Sequence, residues 1–294
     1  MPLIAGPGRT MLCVTTVLQT IDAARSALAL DARAGQTVAL VPTMGALHDG
    51  HLALVQLAHQ HADRVAVSIF VNPLQFGPGE DFDAYPRQLE ADVRLLEKAD
   101  VDWVFAPCIE QMYPNWPTTT MVTAGEAGRI LEGEFRPTHF DGVLTVVAKL
   151  FSIVQPDIAV FGQKDAQQLA LVRRMVADLN LPLQIVAAPI AREPDRLARS
   201  SRNAYLSGAD RERAVVLSRA LAAVAAAAGG GVAAALDAGR AVFASEPTVT
   251  VDYLVAVDAA TFAPAGPDFR GDALVLTAAR VGTTRLIDNC EVRF

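Results

Sequence analysis

Two imidazoles stand three residues apart in the stretch VPTMGALHDGH, at His48 and His51. The apolar run TVALVP (37–42) before them reads as a buried strand. HLALVQLAHQHA (51–62) after them sets Leu54, Val55, Leu57 and Ala58 on one helical face. Gly45 and Gly50 permit a tight turn between the two. Both histidines therefore fall at a strand-to-helix junction, one turn apart, near the positive end of a helix. Residues i and i+3 share a helix face, so the pair can act on one ligand. Zinc suits such a pair, but no cysteine or third histidine follows at ligand spacing, which leaves only His139 through a tertiary contact. Two surface histidines at a helix cap are the plainer alternative. Phosphate chemistry uses the most features: free helix N–H groups bind anions, and imidazoles beside them stabilise charge on a phosphoryl group.

Three further stretches carry polar groups suited to the same work. FGQKDAQQL (161–169) turns from a strand end into a helix, with Lys164 as a point charge, Asp165 as a helix cap and Gln168 one turn on. RSSRN (199–203) sets two hydroxyls beside Arg202, a phosphate clamp or a simple turn. It lies in AREPDRLARSSRN (191–203), where Arg192, Arg196, Arg199 and Arg202 form the one basic cluster of an acidic chain. That cluster fits a small anionic ligand or a solvated loop. FVNPLQF (70–76) puts the amides of Asn72 and Gln75 after another strand; amides donate and accept, which suits a hydroxy acid better than a triphosphate. A proline turn is its plainer reading.

The elements that must position these residues alternate. Strands are predicted at 37–42, 64–72, 101–107, 156–162 and 183–190, and helices at 50–61, 87–99, 141–154 and 165–178. Alternation with continuous apolar strands implies a doubly wound, Rossmann-like parallel sheet covered by helices. In such sheets ligands bind beyond the carboxyl ends of the strands at the switch point. His48, Asn72 and Lys164 all lie just past strand ends, so one crevice can gather them. After about residue 190 the pattern changes to an Ala-rich helix from Ser207 to Gly229–Gly231, a helix over 232–245 and strands at 249–258, 273–281 and 284–294. The last two, joined by Gly282-Thr283, look like a hairpin. The chain is thus expected to divide into a catalytic domain over 1–189 and a smaller α+β domain over 190–294 that carries the SSRN loop and closes the site. The stretch 108–139, with Pro114, Pro117 and Pro137, is the least regular and reads as a lid or an interface.

Composition narrows the classes. The 294 residues are 52% apolar and 19% charged, as in globular proteins. The longest uncharged stretch (220–236) holds three glycines and is too short to span a bilayer. The N-terminus lacks a basic start and apolar signal core. Cys13, Cys108 and Cys290 are odd in number and far apart, which implies no disulfide framework and a cytoplasmic setting. A net charge of −7 argues against a nucleic-acid partner.

In order along the chain, PTMGALHDGH, FVNPLQF, YPR, RPTHFDGV, FGQKDAQQL and SSRN resemble the motifs of the pantothenate synthetase (pantoate–β-alanine ligase) family, over roughly residues 36–290. His48-Asp-Gly-His51 is similar to the HxGH signature of the adenylyl-transferring superfamily that includes class I aminoacyl-tRNA synthetases, and SSR to its mobile phosphate loop. The resemblance implies ATP-dependent condensation of (R)-pantoate with β-alanine through a pantoyl adenylate, with magnesium and in a homodimer. It also implies roles. Met44, Gly45, Ala46, Leu47, His48, Asp49, Gly50 and His51 would form the first nucleotide segment, with His51, His48 and Lys164 catalytic. Gly162, Gln163, Lys164 and Asp165 would line ATP, Ala191 would touch it near adenine, and Arg199, Ser200, Ser201 and Arg202 would close on its phosphates. Gln75 and Gln168 would hold pantoate, with Asn72, Tyr85, Arg136 and His139 beside them. Asp92 is the implied carboxylate near magnesium.

The chain departs from the family where Arg196 and Arg199 replace a glycine and an apolar residue before SSRN, and where Ala166 replaces a frequent aromatic. The two extra cations either tighten nucleotide binding or face solvent. Carboxylates near Asp92 are sparse, so ATP itself is expected to carry most of the magnesium. A nucleotidyltransferase without ligase activity would share the HxGH loop without needing Gln75 and Gln168. A regulatory nucleotide-binding module would not need His51.

Overall fold

The computed structural model describes residues 14–294. The stretch read for a leader, and Cys13, lie outside them. Six parallel strands form the larger sheet: β1 (Thr16–Leu18), β2 (Val38–Thr43), β3 (Arg64–Ile69), β4 (Trp103–Phe105), β5 (Ile158–Gly162) and β6 (Gln184–Ala188). Their spatial order is β1-β4-β3-β2-β5-β6, so the chain reverses its direction of growth between β2 and β5. The helices of this half are α1 (Ile21–Arg33), α2 (Asp49–His61), α3 (Leu89–Lys98), α4 (Ile109–Met112), α5 (Glu132–Phe135), α6 (His139–Val154) and α7 (Ala166–Asp178).

Both faces of the sheet are covered, for a reason visible in β2. Val38 and Leu40 pack with α1, α6 and α7 through Leu28, Val147 and Val172. Ala39 and Val41 point the other way, to Val55 of α2 and Leu96 of α3. Strand side chains alternate faces, so a strand clad on both sides must be apolar throughout. α6 is the most deeply set helix, and Gly142 is the point of closest approach. A Cβ there would meet the Leu74 carbonyl at 2.1 Å, so the helix lies flush against the turn that carries Gln75.

The second half holds α8 (Gly208–Ala214), α9 (Val216–Ala226), α10 (Val232–Ala244) and the antiparallel sheet β7 (Val249–Asp258), β8 (Asp272–Val281) and β9 (Thr284–Arg293), in that order. The expected hairpin is present, with Val281 opposite Thr284 and Gly282 at φ +59°. The single Ala-rich helix is instead two: α8 ends at Ala214 and α9 begins at Val216, with the Val215 carbonyl between them accepting both the Arg219 N–H and the Ser218 hydroxyl. Leu217, Leu221 and Val224 of α9 then pack with Phe243, Val275 and Val292.

The proline-rich stretch is strapped down. The backbone N–H of Ala124 donates to Asp141, and the Gln167 amide donates to the carbonyls of Ala127 and Ile130. Glu132 reaches the small sheet, taking two bonds from Arg285 (2.6 and 2.7 Å) and one from the Tyr253 hydroxyl (2.7 Å). That largely buried ion pair makes the stretch an interface between the two sheets. No described helix is long and apolar enough to cross a membrane.

Candidate active site

A crevice of ≈ 270 Å³ opens beyond the carboxyl ends of β2 and β5, where the strand order reverses. It joins a wider cleft of ≈ 540 Å³ that runs toward the small sheet. Met44, His48, Gly50, His51, Gln75, Tyr85, Arg136, His139, Gly162, Lys164, Asp165, Gln168, Ala191, Arg199, Ser200, Ser201 and Arg202 all line the crevice. Motifs up to about 160 residues apart in sequence thus share one wall because parallel strands end at one edge.

The histidines are the best-defined part. His48 is the N-cap of α2: its Nδ1 accepts from the Gly50 N–H at 3.1 Å, and its own N–H donates to Nδ1 of His51 at 3.3 Å. Gly50 makes this possible, since a Cβ there would press on the His48 ring at 2.8 Å. The rings lie 4.1 Å apart, centroid to centroid. With both Nδ1 atoms accepting, the neutral rings carry their protons on Nε2. Neutrality is enforced by the surroundings. Burial, then the neighbouring His48, lowers the His51 pKa to about 3. Burial, Lys164 and Arg199 lower that of His48. The site therefore offers two fixed N–H donors beside a helix N-terminus, with Lys164 across the switch point as a full charge.

Gln75 and Gln168, the two amides that the resemblance implies for pantoate, both line the crevice. The Gln75 side-chain Oε1 accepts from the Asn72 amide, and its NH₂ group donates one hydrogen to the weak acceptor Met44 Sδ, which leaves the other for a ligand. Arg136 is held by Glu80 and donates to Nε2 of His139, whose Nδ1–H donates to the backbone carbonyl of Gln75 at 2.8 Å. Burial and the Arg136 charge lower the His139 pKa to about 4.

Seven of the expected residues do not bring their side chains into the crevice. Asn72 is buried, and its amide is spent on Gln75, the Gly142 carbonyl, the Leu74 N–H and the Tyr113 hydroxyl. These bonds hold the turn that carries Gln75. Leu47 packs with Val55 and Leu96 in the core. Gly45 and Ala46 lie against Asp92, and Asp49 faces Arg199. Gln163 turns to Glu291. Asp165 lines the crevice at the N-cap position of α7, but its side chain makes no cap bond.

Asp92, the carboxylate that the resemblance implies near magnesium, is the seventh. The carboxylate is fully buried; Oδ2 accepts from the Ala46 N–H and Oδ1 from the Leu47 N–H, both at 2.9 Å. Its oxygens are committed to the loop before α2. Among the described residues no three His, Cys, Asp or Glu side chains are grouped to hold a metal ion. The protein's own donors do not fit a resident metal.

Of the two departures before SSRN, Arg199 lines the crevice and pairs with Asp49 and Glu193. Arg196 takes the left-handed conformation, φ +75°, where the family's glycine would be unstrained. Sequence reasoning missed Glu80, Glu132, Arg285 and the pair Asp288-Asn289. The last left a trace: two consecutive polar residues stand between the apolar Leu286-Ile287 and Cys290, and both are buried.

The neutral histidines give a stability signature. In the unfolded chain both His51 and His139 titrate near 6.5; in the folded protein they do so at about 3 and about 4. A depressed histidine pKa means the unfolded chain takes up protons first as pH falls. The stability is full above pH 6.5 and drains away below it, at up to about 1.4 kcal/mol per pH unit for each group. Denaturant midpoints should fall between about pH 6.5 and about pH 5, less steeply in His139→Gln. Equal slopes in the two proteins would overturn this account.

Fixed N–H donors beside a helix N-terminus, at the switch point of a doubly wound sheet, define the class: a nucleotide-using α/β enzyme. Residues 16–291 match the family model described as pantoate-beta-alanine ligase, and the chain belongs to that family. It is accordingly a ligase that joins pantoate to β-alanine. The pantothenate synthetase of Acidothermus cellulolyticus is 56% identical over 294 residues, covering 98% of this chain and 94% of that one. The crystal structure of pantothenate synthetase from Thermus thermophilus superimposes with a TM-score of 0.88 at 48% identity, covering 95% of this chain and 99% of that one. The pantoate-beta-alanine ligase of Francisella tularensis, complexed with beta-gamma ATP and beta-alanine, gives 0.76 at 32% identity, covering 94% and 97%.

Proposed function

We propose that the ligation runs in two steps within the crevice. The pantoate carboxylate attacks the α-phosphorus of ATP and pyrophosphate leaves. The β-alanine amine then attacks the pantoyl adenylate, giving pantothenate and AMP. A carboxylate is a poor acyl donor because oxide cannot leave; AMP can. The observation that carries this reading is the pair of neutral imidazoles with protons on Nε2 at the positive end of α2, facing a lysine. Such preorganised donors stabilise charge developing on the transferring phosphoryl group and on departing pyrophosphate.

The roles follow the geometry. His48, His51 and Lys164 meet the phosphates, and Ser200, Ser201 and Arg202 close on them from the other side. Gly162 and Ala191 offer backbone surface to the nucleotide. Gln75 and Gln168 orient pantoate, with Tyr85 above and His139 and Arg136 behind. Residues 1–189 supply the ATP and pantoate half, and 190–294 the closing half. Magnesium arrives on the nucleotide, as suits an ion that keeps its waters, and no step is assigned to it. Family membership supports a cytoplasmic homodimer.

Among the described residues no serine or cysteine is hydrogen-bonded to a histidine base, so an acyl-enzyme has no nucleophile prepared for it. Labelled pyrophosphate should therefore exchange into ATP with pantoate present and β-alanine absent. In full turnover one oxygen-18 from the pantoate carboxylate should appear in AMP. ADP as product, with label in inorganic phosphate, would mean an acyl phosphate and overturn the reading.

Replacing Gln168 with Ala should raise KM for pantoate about 5- to 100-fold with little change for ATP, because a polar substrate group loses its partner. A raised KM for ATP with pantoate unaffected would put the wrong substrate in that half of the crevice.

A further inference from the structure

The small sheet reaches the phosphate-binding elements through two residues of its edge strand β9. Asn289 is 1% exposed, and its Nδ2 donates to two successive carbonyls, Gln163 and Lys164, each at 2.9 Å. These bonds grip the backbone of the turn that presents Lys164. The neighbouring Asp288 takes both Nη atoms of Arg192, at 2.8 and 2.9 Å, and accepts the Asn289 N–H at 2.8 Å. Arg192 continues to the Asn289 and Arg196 carbonyls. It sits at the base of the loop that ends in SSRN, where the Arg199 N–H donates to the Ala191 carbonyl. Consecutive strand residues point to opposite faces, so adjacent positions can hold two separate elements.

We propose that Asp288 and Asn289 are positioning residues for the adenylation step, fixing the Lys164 turn and the SSRN loop at one spacing across the triphosphate. Neither touches substrate. A primary amide is the group the turn demands, since its two N–H bonds satisfy two carbonyls at once. An aspartate there would set a carboxylate against both. The proposal rests on the phosphate role given to Lys164, which Lys164→Ala tests by itself: intact adenylation in that variant would sink the role and leave the brace geometry untouched.

The decisive measurement separates the half-reactions. Pyrophosphate exchange uses the triphosphate grip, whereas aminolysis of supplied pantoyl adenylate by β-alanine does not. Asn289→Ala should raise KM for ATP and slow exchange, together by on the order of 10²-fold, the size of a 1 Å misplacement. KM for pantoate and the aminolysis rate should stay within about twofold. Asn289→Ser, which keeps one donor, should fall between, and Asp288→Asn should lose part of the exchange rate with the same spared aminolysis. If Asn289→Ala does not fold, the serine and Asp288→Asn variants carry the comparison. Unchanged exchange in the folded variants, or equal loss in both half-reactions, would overturn the proposal.

Discussion

His51→Ala is expected to slow pantoate-dependent pyrophosphate exchange by on the order of 10² to 10³, the usual cost of removing one preorganised donor from a developing anion. The size follows from what the ring supplies. Its Nδ1 is committed to the His48 N–H and its pKa is lowered to about 3, so at neutral pH it acts through a fixed Nε2–H bond and not as a cation or a proton reservoir. The same facts fix the pH dependence. The remaining activity should keep the wild-type pH profile between about pH 5 and 8, because the missing group does not titrate there. From sequence the substitution would leave folding nearly unaffected. The structure adds a cost: without the ring the His48 N–H loses its capping partner, worth about 0.5 to 2 kcal/mol. Exchange at the wild-type rate would sink the assignment. Loss of an alkaline limb from the pH profile would instead make His51 a proton donor.

How far the sequence carried can be judged element by element. β2, β5, α2 and α7 were legible because long apolar runs and helical periodicity flank their turn residues, and these elements build the crevice. β1 and α1 were not read. β1 is a three-residue edge strand with two exposed positions, and α1 buries only Ala24, Leu28 and Asp31. Neither leaves a strong apolar period. The break at Val215 was invisible for another reason, since no glycine or proline marks it and the sequence around it stays compatible with helix.

The site shows the same division. Residue types suited to chemistry were read correctly as neighbours, because strand ends collect at one edge whatever their separation in sequence. Residues that hold others in place were not read as such. Asn72 looks like a ligand amide until its four partners are seen. Glu132 and Arg285 lie 153 residues apart with no motif around either. A supporting role is a property of tertiary contacts, so the residue type alone does not announce it.

Asp92 is where that distinction has the largest consequence. It sits in the first turn of α3 with no solvent exposure and accepts the backbone N–H groups of Ala46 and Leu47, with Gln88 beside it at 3.4 Å. One carboxylate thereby pins the bend that delivers His48 and His51 to the crevice. Gly45, at φ +83°, leaves room for it; a Cβ there would stand 3.0 Å from Oδ2. Asp92→Ala strands two backbone donors, each costing about 1 to 3 kcal/mol, for a total of roughly 2 to 6 kcal/mol. At about 2 to 4 °C per kcal/mol, the melting temperature should fall by on the order of 10 °C. Asp92→Asn keeps the shape but turns an NH₂ toward an N–H, so it should lose most of the same stability. Exchange activity should drop in both through displacement of the histidines, and the magnesium concentration giving half-maximal rate should stay at the wild-type value. A metal ligand would behave in the opposite way. Wild-type melting together with activity restored by excess magnesium would return Asp92 to the metal and leave the loop without its anchor.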